Sequence, residues 1–444
     1  MRKIIIVIIG IILIITIGGF IYKKLYFNLN IQSNNENIKE KNTEVALSKY
    51  VNIDTLDEYR DILYKQKNFD LIEAKVLSLL SEYQNPKVSF ELMSLYNSLT
   101  SIEDSPEEMQ VILDEWCENK PYSHIPFLVR GGFNIDYAWY FRGSKWAKSV
   151  QKDAWPKFYD KLEIAQKDLE KSFHINPNDP NSSSYLIIVA MGLNYNFNTM
   201  EAYFKNSIKN DPYNYSAHLR KLNYLKPKWH GSMKEMLDFA EYCRRISFHN
   251  LYLNYVYLYA YREIQFLLNP KKENILGIHE TWSNIQNIFT SIIEKYPDDL
   301  YHRFSYAYYA YNAKKYEIAA SQFDLIDYKW SEHPLFKDLK SYNEIRVYVY
   351  NQIAFNLTWN KKLYSDALPY YKKALECDPN NSNTYYGLGI NTWYLGEINK
   401  DIDLLCDAKK YLMASISNDS HNSKAKTQLD RLEEHLKELT NYRK

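Results

Sequence analysis

Apolar residues recur along most of this chain at intervals of three and four, the spacing of one helix face. Leu56, Tyr59 and Leu63 form the first stripe, opened by the capping-box pattern Thr55-Leu-Asp-Glu58. Phe69, Ile72, Val76, Leu79 and Tyr83 form the second, after punctuation at Lys67-Asn68. Ser105-Pro-Glu-Glu108 starts another helix, with an N-cap serine and a proline at the first helical position. Met109, Ile112, Leu113 and Trp116 give that helix its buried face. No run alternates apolar and polar residues between turn glycines, so the pattern predicts an all-α chain.

One apolar stretch has no period. It opens at Ile4 and closes at Ile21, carries no charge, and is flanked by Arg2-Lys3 and Lys23-Lys24. At 1.5 Å per residue it spans about 27 Å, close to the ~30 Å hydrocarbon core of a bilayer. It is longer than the apolar core of a cleaved signal, and no A-x-A site follows it. Residues 1–27 are therefore expected to form a transmembrane anchor that contacts the lipid bilayer, and 28–49, polar and Asn-rich, a flexible spacer. A three-residue tail before the run favours a single-pass membrane protein with its bulk exported.

Composition narrows the chemistry. Lys+Arg is 55 against Asp+Glu 54, a formal charge of +1, which argues against a basic nucleic-acid binder. Glycine is 12 of 444 residues, too few for phosphate-cradling loops or many tight hairpins. Four cysteines exclude a disulfide scaffold; they read as buried thiols, with pairing open if the domain is exported. No P-loop, G-x-S-x-G, zincin or C-x-x-C motif is present, so no catalytic residue, metal or small-molecule cofactor is expected.

Internal spacing gives the architecture. From Ser382, Tyr385, Leu388, Gly389 and Gly396 occupy successive key positions; from Tyr348, so do Ala354, Ala367, Tyr371, Ala374 and Pro379. From Leu300 they are Tyr306, Ala307, Ala319 and Phe323. Partial matches recur at Ala165-Leu169-Ser172-Pro177, at Phe204-Ser207-Pro212 and before Pro297. This pattern resembles the tetratricopeptide repeat, a 34-residue helical hairpin that implies an α-solenoid. It departs at position 11 (Thr392, Thr358, Ala310), needs about seven extra residues near 397–403, and is interrupted over 331–347. Residues 423–442, charged and striped by Leu429, Leu432, Leu436 and Leu439, read as a cap helix. The expected domains are an irregular repeat-like region, 50–240, and tetratricopeptide-like repeats with the cap, 241–444. Trp116, Pro121-Tyr-Ser123, Arg130-Gly131, Ala138-Trp139-x-x-Arg142-Gly143 and Pro227-x-Trp229-x-Gly231-Ser232 also make 54–240 similar to a bacterial envelope family of unknown function.

The 42 tyrosines point to a surface. In tetratricopeptide repeats, first-helix positions 2, 5, 9 and 12 face a concave groove. Here they are Tyr301, Phe304, Tyr308 and Tyr311; then Gln352, Asn356 and Trp359; then Tyr386, Ile390 and Trp393. Rings and amides together suit an extended peptide, so a protein or peptide partner is expected there. A tightly wound superhelix filling its own groove is the alternative. Arg130 and Arg142, beside glycine turns at Gly131, Gly132 and Gly143, are candidate anion contacts or else tie a bend to a neighbouring helix end. Trp229-His230-Gly231-Ser232 reads either as a base and nucleophile or as Ser232 capping a helix over 233–245. The expected function is a membrane-anchored scaffold and not an enzyme. An envelope immunity or accessory protein, and an enzyme within 50–240, are the alternatives.

Overall fold

A computed structural model describes residues 53–441 except 103–104, 144–146, 269–272, 328–329 and 332. The anchor and spacer expected over 1–49 lie outside these residues, as does the side chain of Thr55. Two compact units divide the chain. One takes Met1–Glu40 with Ser144–Ser149, of which only the 3-10 turn Ala147–Ser149 is described. The other, Lys41–Gly143 with Val150–Lys444, contains everything below.

Its elements are helical, and no strand occurs among the described residues. In order they are α1 (Ile53–Tyr64), α2 (Phe69–Ser81), α3 (Pro86–Thr100), α4 (Pro106–Asn119) and α5 (Ile125–Arg142). Then come α6 (Ala154–Ile175), α7 (Pro180–Gly192), α8 (Phe197–Ile208), α9 (Tyr215–Tyr224) and α10 (Met233–Ile246). They are followed by α11 (Leu253–Leu267), α12 (His279–Lys295), α13 (Leu300–Asn312), α14 (Tyr316–Ile326) and α15 (Leu339–Phe355). A π turn (Asn356–Lys361) leads to α16 (Tyr364–Cys377), α17 (Ser382–Asn399), α18 (Ile402–Asn418) and α19 (Ser423–Asn441). Short polar caps start many of them. Ser105 accepts from the Glu108 amide with Pro106 behind it, and Asn196, Asn214 and Asn381 each take an amide three residues on. In a glycine-poor chain, several helix-to-helix turns close on non-glycine residues in the left-handed region: Lys67, Asn194, Lys314, Lys362 and Lys400.

Packing follows a repeat. Most successive helices touch, and so do alternate ones: α1 with α3, α3 with α5, α5 with α7, α7 with α9, α9 with α11, and α15 with α17. A solenoid-like stack needs this, because each hairpin buries its apolar face only against its neighbours. Side-chain bonds link successive hairpins: Asn351 Nδ2 donates to Thr384 Oγ1 and Thr358 Oγ1 to Asn391 Oδ1, while Ser382 Oγ donates to the Ser415 carbonyl within one hairpin. The boundary expected at 240 falls inside α10, where Ala240 is fully buried. Small residues permit the closest approaches. A Cβ on Gly387 would stand 2.4 Å from the Phe355 ring and 2.6 Å from that of Tyr371, so Gly387-Leu-Gly389 is a helix contact and not a phosphate loop. Ala319 and Ala374 are fully buried, as the repeat register requires. Ala374→Leu is expected to cost about 1–3 kcal/mol by overpacking, read as a lowered urea midpoint, whereas Lys372→Leu on the exposed face leaves the midpoint nearly unchanged.

One apolar core runs through α1 to α7, with Phe69 stacked on Trp116 at 5.5 Å. Buried apolar residues continue through α8 to α15, and further clusters sit under α15 to α17 and under α17 to α19. Among the described residues no helix is long and apolar enough to cross a membrane.

Candidate partner-binding surface

Helix α15 and the π turn that extends it carry Tyr348, Gln352, Asn356 and Trp359 at helical spacing. None of the four is buried, and Trp359 keeps 44% of its surface in solvent. The π turn sets this outcome. Thr358 points inward and donates to Asn391 Oδ1 at 2.9 Å, pinning the turn to α17 from inside, which leaves its neighbour Trp359 outside. Asn360 Nδ2 donates to Asn356 Oδ1 at 2.9 Å across the same turn.

Rings from the flanking helices extend the stripe. Tyr311 of α13 meets Tyr348 edge-on at 5.8 Å, and Tyr316 of α14 meets it at 6.0 Å. Trp359 meets Tyr394 of α17 edge-on at 6.1 Å, and Tyr394 stacks on Tyr364 of α16 at 5.1 Å. Trp393 and Tyr386 are half-buried on α17, and Trp393 Nε1 donates to Glu397 at 3.0 Å. Tyr348, Tyr364 and Tyr394 were not among the residues expected from the sequence. Tyr348 stands four before Gln352 and Tyr394 directly follows Trp393, so a wider reading of the same helix face reaches them.

Two expected groove residues are core instead. Phe304 is fully buried, ringed by Trp330, His333, Phe336 and Tyr342 with centroids 5.3–6.0 Å away. The residues that interrupt the repeat thus fold across α13. They also cover Tyr301, which packs on His333 at 4.3 Å, and Tyr308, which meets Phe336 at 5.7 Å; both remain half-buried. Ile390 is buried with Leu405, Ala408, Leu412 and Leu432, because α18 and α19 close over that side of α17. Self-filling of the groove therefore holds at α13, and the open stripe lies on α15 and its neighbours.

The arginines do not form an anion site. Arg130 spends its fork on acids: Nε and Nη2 bind Asp168 at 2.8 and 2.7 Å, and Nη1 binds Asp114 at 2.9 Å. Gly131 is not in a turn but within α5, where a Cβ would stand 2.7 Å from Leu169 Cγ. Arg142 is buried, donating to the Gly143 carbonyl and boxed by Trp139, Trp155 and Trp229 at 5.0–5.5 Å. His230 and Ser232 do not pair. His230 stacks on Tyr224 at 4.3 Å, while Ser232 caps α10 through the Glu235 amide and donates to its carboxylate at 2.7 Å. No His, Cys, Asp and Glu cluster with metal-binding geometry occurs among the described residues. Cys117 and Cys243 are buried, Cys377 is half-buried and Cys406 is exposed; all four are free thiols. Burial pushes the Cys117 thiol up to about 12.

Among the buried polar groups away from the stripe, Asp179 and His218 matter most for stability. The Asp179 carboxylate, capping α7, accepts from Tyr96 Oη at 2.8 Å and from the Asn181 amide at 2.9 Å, with His124 Nε2 at 3.2 Å. Burial alone raises such a carboxyl, but His124, Asn181 and Tyr96 together hold it below its ordinary value. His218 is fully buried among Phe204, Phe239 and Tyr242, and its Nδ1 meets the Asn214 carbonyl at 2.7 Å. Desolvation lowers its pKa to about 4. Between pH 6.5 and about 4 the unfolded chain therefore binds a proton that the folded chain does not. Stability is expected to fall as the pH falls through that window, by on the order of 3 kcal/mol from this residue. Urea titrations across the window should show the loss, and His218→Gln should flatten it.

Residues 370–390 match the tetratricopeptide repeat family. No curated protein matches the chain. Among solved structures it is similar to a human IFIT1 dimer with m7Gppp-AAAA, at 13% identity, covering 80% of this chain and 81% of that one with a TM-score of 0.32. It is also similar to the APC/C hetero-tetramer Cut9–Hcn1, at 16% identity, 86% and 74% coverage and a TM-score of 0.23. Yeast Tom70 follows, at 13% identity, 87% and 90% coverage and a TM-score of 0.25.

Proposed function

We propose that the chain is a membrane-anchored helical-repeat scaffold whose aromatic and amide stripe on α15, extended by Tyr311 of α13 and Tyr394 of α17, holds an extended segment of a protein partner. One observation carries the reading. Tyr348, Gln352, Asn356 and Trp359 stay out of the core on a helix whose other faces are packed. Rings there supply rigid apolar area with little rotamer entropy to lose, and the two amides can bond a peptide backbone in either sense. The tetratricopeptide match at 370–390 falls on α16 and α17, two of the helices that build the stripe. The test is selection from a displayed peptide library against the whole chain. Selected peptides are expected to compete for one site and to lose binding to Trp359→Ala; peptides indifferent to that change would refute the site.

The anchor belongs to the same reading. Residues 4–21 hold the protein in the bilayer and the helical body lies on the exported side. Detergent, and not carbonate, is expected to release the full-length protein. A mature chain that begins after residue 18 would refute the anchor.

A further inference from the structure

Three rings of the stripe stand on three separate elements. Trp359 belongs to the π turn, Tyr364 is the first residue of α16, and Tyr394 lies on α17. They nevertheless meet, Trp359 with Tyr394 at 6.1 Å and Tyr394 with Tyr364 at 5.1 Å. Beneath them one side chain joins the same three elements. Asn391 of α17 is fully buried; its Oδ1 accepts from Thr358 Oγ1 of the π turn at 2.9 Å, and its Nδ2 donates to the Tyr364 carbonyl at 2.9 Å. Chemistry fixes the protons of this network. The Tyr364 carbonyl can only accept, so the nitrogen of the amide must be the atom that faces it. The amide oxygen then faces Thr358 and takes that hydroxyl's proton, which leaves Thr358 Oγ1 to accept from Tyr371 Oη at 3.2 Å. A carboxylate at 391 would face the Tyr364 carbonyl with no proton to give. Valine at 358 would leave the Asn391 oxygen without its donor.

The turn that this network holds is an uncommon one. Asn356–Lys361 is wound as π-helix, a form that is rare, confined mostly to single turns, and frequent at functional sites. A π turn holds about one residue more than an α turn, so rewinding it as α-helix would swing the residues beyond the change by about 100°. Thr358 and Trp359 are neighbours and would swing together: the hydroxyl would leave Asn391 as the ring left Tyr394. On α17 the same division holds, since Asn391 points inward and Tyr394, three residues on, keeps 39% of its surface in solvent. We propose, on the reading of the stripe given above, that Asn391 is its positioning residue. It keeps the π turn wound, and so holds Trp359 outside against Tyr394 in the shape that a partner meets.

The test uses the full chain in detergent, with its nine tryptophans replaced by 5-fluorotryptophan and the Trp359 fluorine resonance assigned by its loss in Trp359→Phe. Thr358→Val and Asn391→Asp each remove a bond of the network with little change of shape. Both are expected to move the Trp359 resonance and its shift between water and heavy water. Both should also weaken a peptide selected on the parent chain by about tenfold or more. Thr358→Ser keeps the hydroxyl and should hold both readings at the parent values. Phe304→Ala controls for plain loss of stability: it should lower the urea midpoint while the Trp359 resonance and the peptide affinity stay. The proposal is overturned if Thr358→Val and Asn391→Asp leave the resonance in place, if Phe304→Ala moves it as far, or if Thr358→Ser behaves as Thr358→Val does. Should one of the two variants fail to fold, the other decides. If no selected peptide depends on Trp359, the partner site falls instead, and the resonance alone then decides whether Asn391 sets the ring.

Discussion

An Asp179→Ala chain is expected to lose about 3–5 kcal/mol of unfolding free energy, the range for breaking a buried charge network by removing one partner. The carboxylate is fully buried and ties three parts of the stack together: Tyr96 on α3, His124 at the start of α5, and the first turn of α7. Removing it strands the Tyr96 hydroxyl and the Asn181 amide inside the core, at about 1–3 kcal/mol for each unsatisfied group, and deletes a helix cap. These costs overlap, since the groups share one site. Asp179→Asn keeps the cap oxygen and the shape, and should lose roughly half as much. The Asp179 pKa is depressed in the fold, so its contribution is fully present above the ordinary carboxyl range and fades only as the pH falls through the folded value. Urea unfolding at neutral pH measures both variants. A loss under about 1 kcal/mol for the alanine variant would mean that the network is already broken in the native chain.

The second large effect is on binding. Trp359→Ala with Tyr394→Ala is expected to weaken partner affinity by at least ~30-fold, since one aromatic hot spot is worth about 2 kcal/mol or more. The two rings meet edge-on at 6.1 Å and both keep part of their surface in water. Their loss should therefore cost far less stability than the ~3–5 kcal/mol of a core aromatic truncation. Phe304→Ala supplies the contrast, because that ring is enclosed on all sides and its removal should lower stability with no specific effect on affinity. Calorimetric titration with a selected peptide, alongside urea midpoints, separates the two effects. Equal affinity for the double variant and the parent chain would place recognition elsewhere.

Local signals were well written in this chain. Ser105-Pro and Ser232 cap the helices expected of them, and the repeat appears as side-chain bonds from α15 and its π turn to α17, one hairpin on. Both depend on neighbours in sequence or on a fixed period. Ala319 and Ala374 were legible for the same reason: small residues at a helix crossing are a property of the repeat. What failed depended on segments outside the period. Phe304 has the position of a groove residue, but His333 and Phe336, with Trp330 just before them, come from an interruption whose path no periodicity describes. Ile390 lies on an 18-residue helix against which the later hairpin and cap close. The anion reading fails at Arg130 because its glycines are not turns, and at Arg142 because three tryptophans enclose it. Only Gly143 has a left-handed φ, at 67°, whereas Gly131 and Gly132 serve close helix packing within α5.

The central claim is that the stripe on α15 and its neighbours holds a protein segment, and site-specific photocrosslinking tests it most directly. A photoreactive benzoylphenylalanine is placed at Gln352, between Tyr348 and Trp359 on the stripe, or at Phe248, exposed and remote from it in sequence. Irradiated cells expressing each full-length variant are then compared by mass spectrometry of the adducts. The account predicts one discrete protein adduct from position 352, absent from position 248 and lost when Trp359→Ala and Tyr394→Ala are introduced. Position 352 giving no adduct, or the same adducts as position 248, would contradict it.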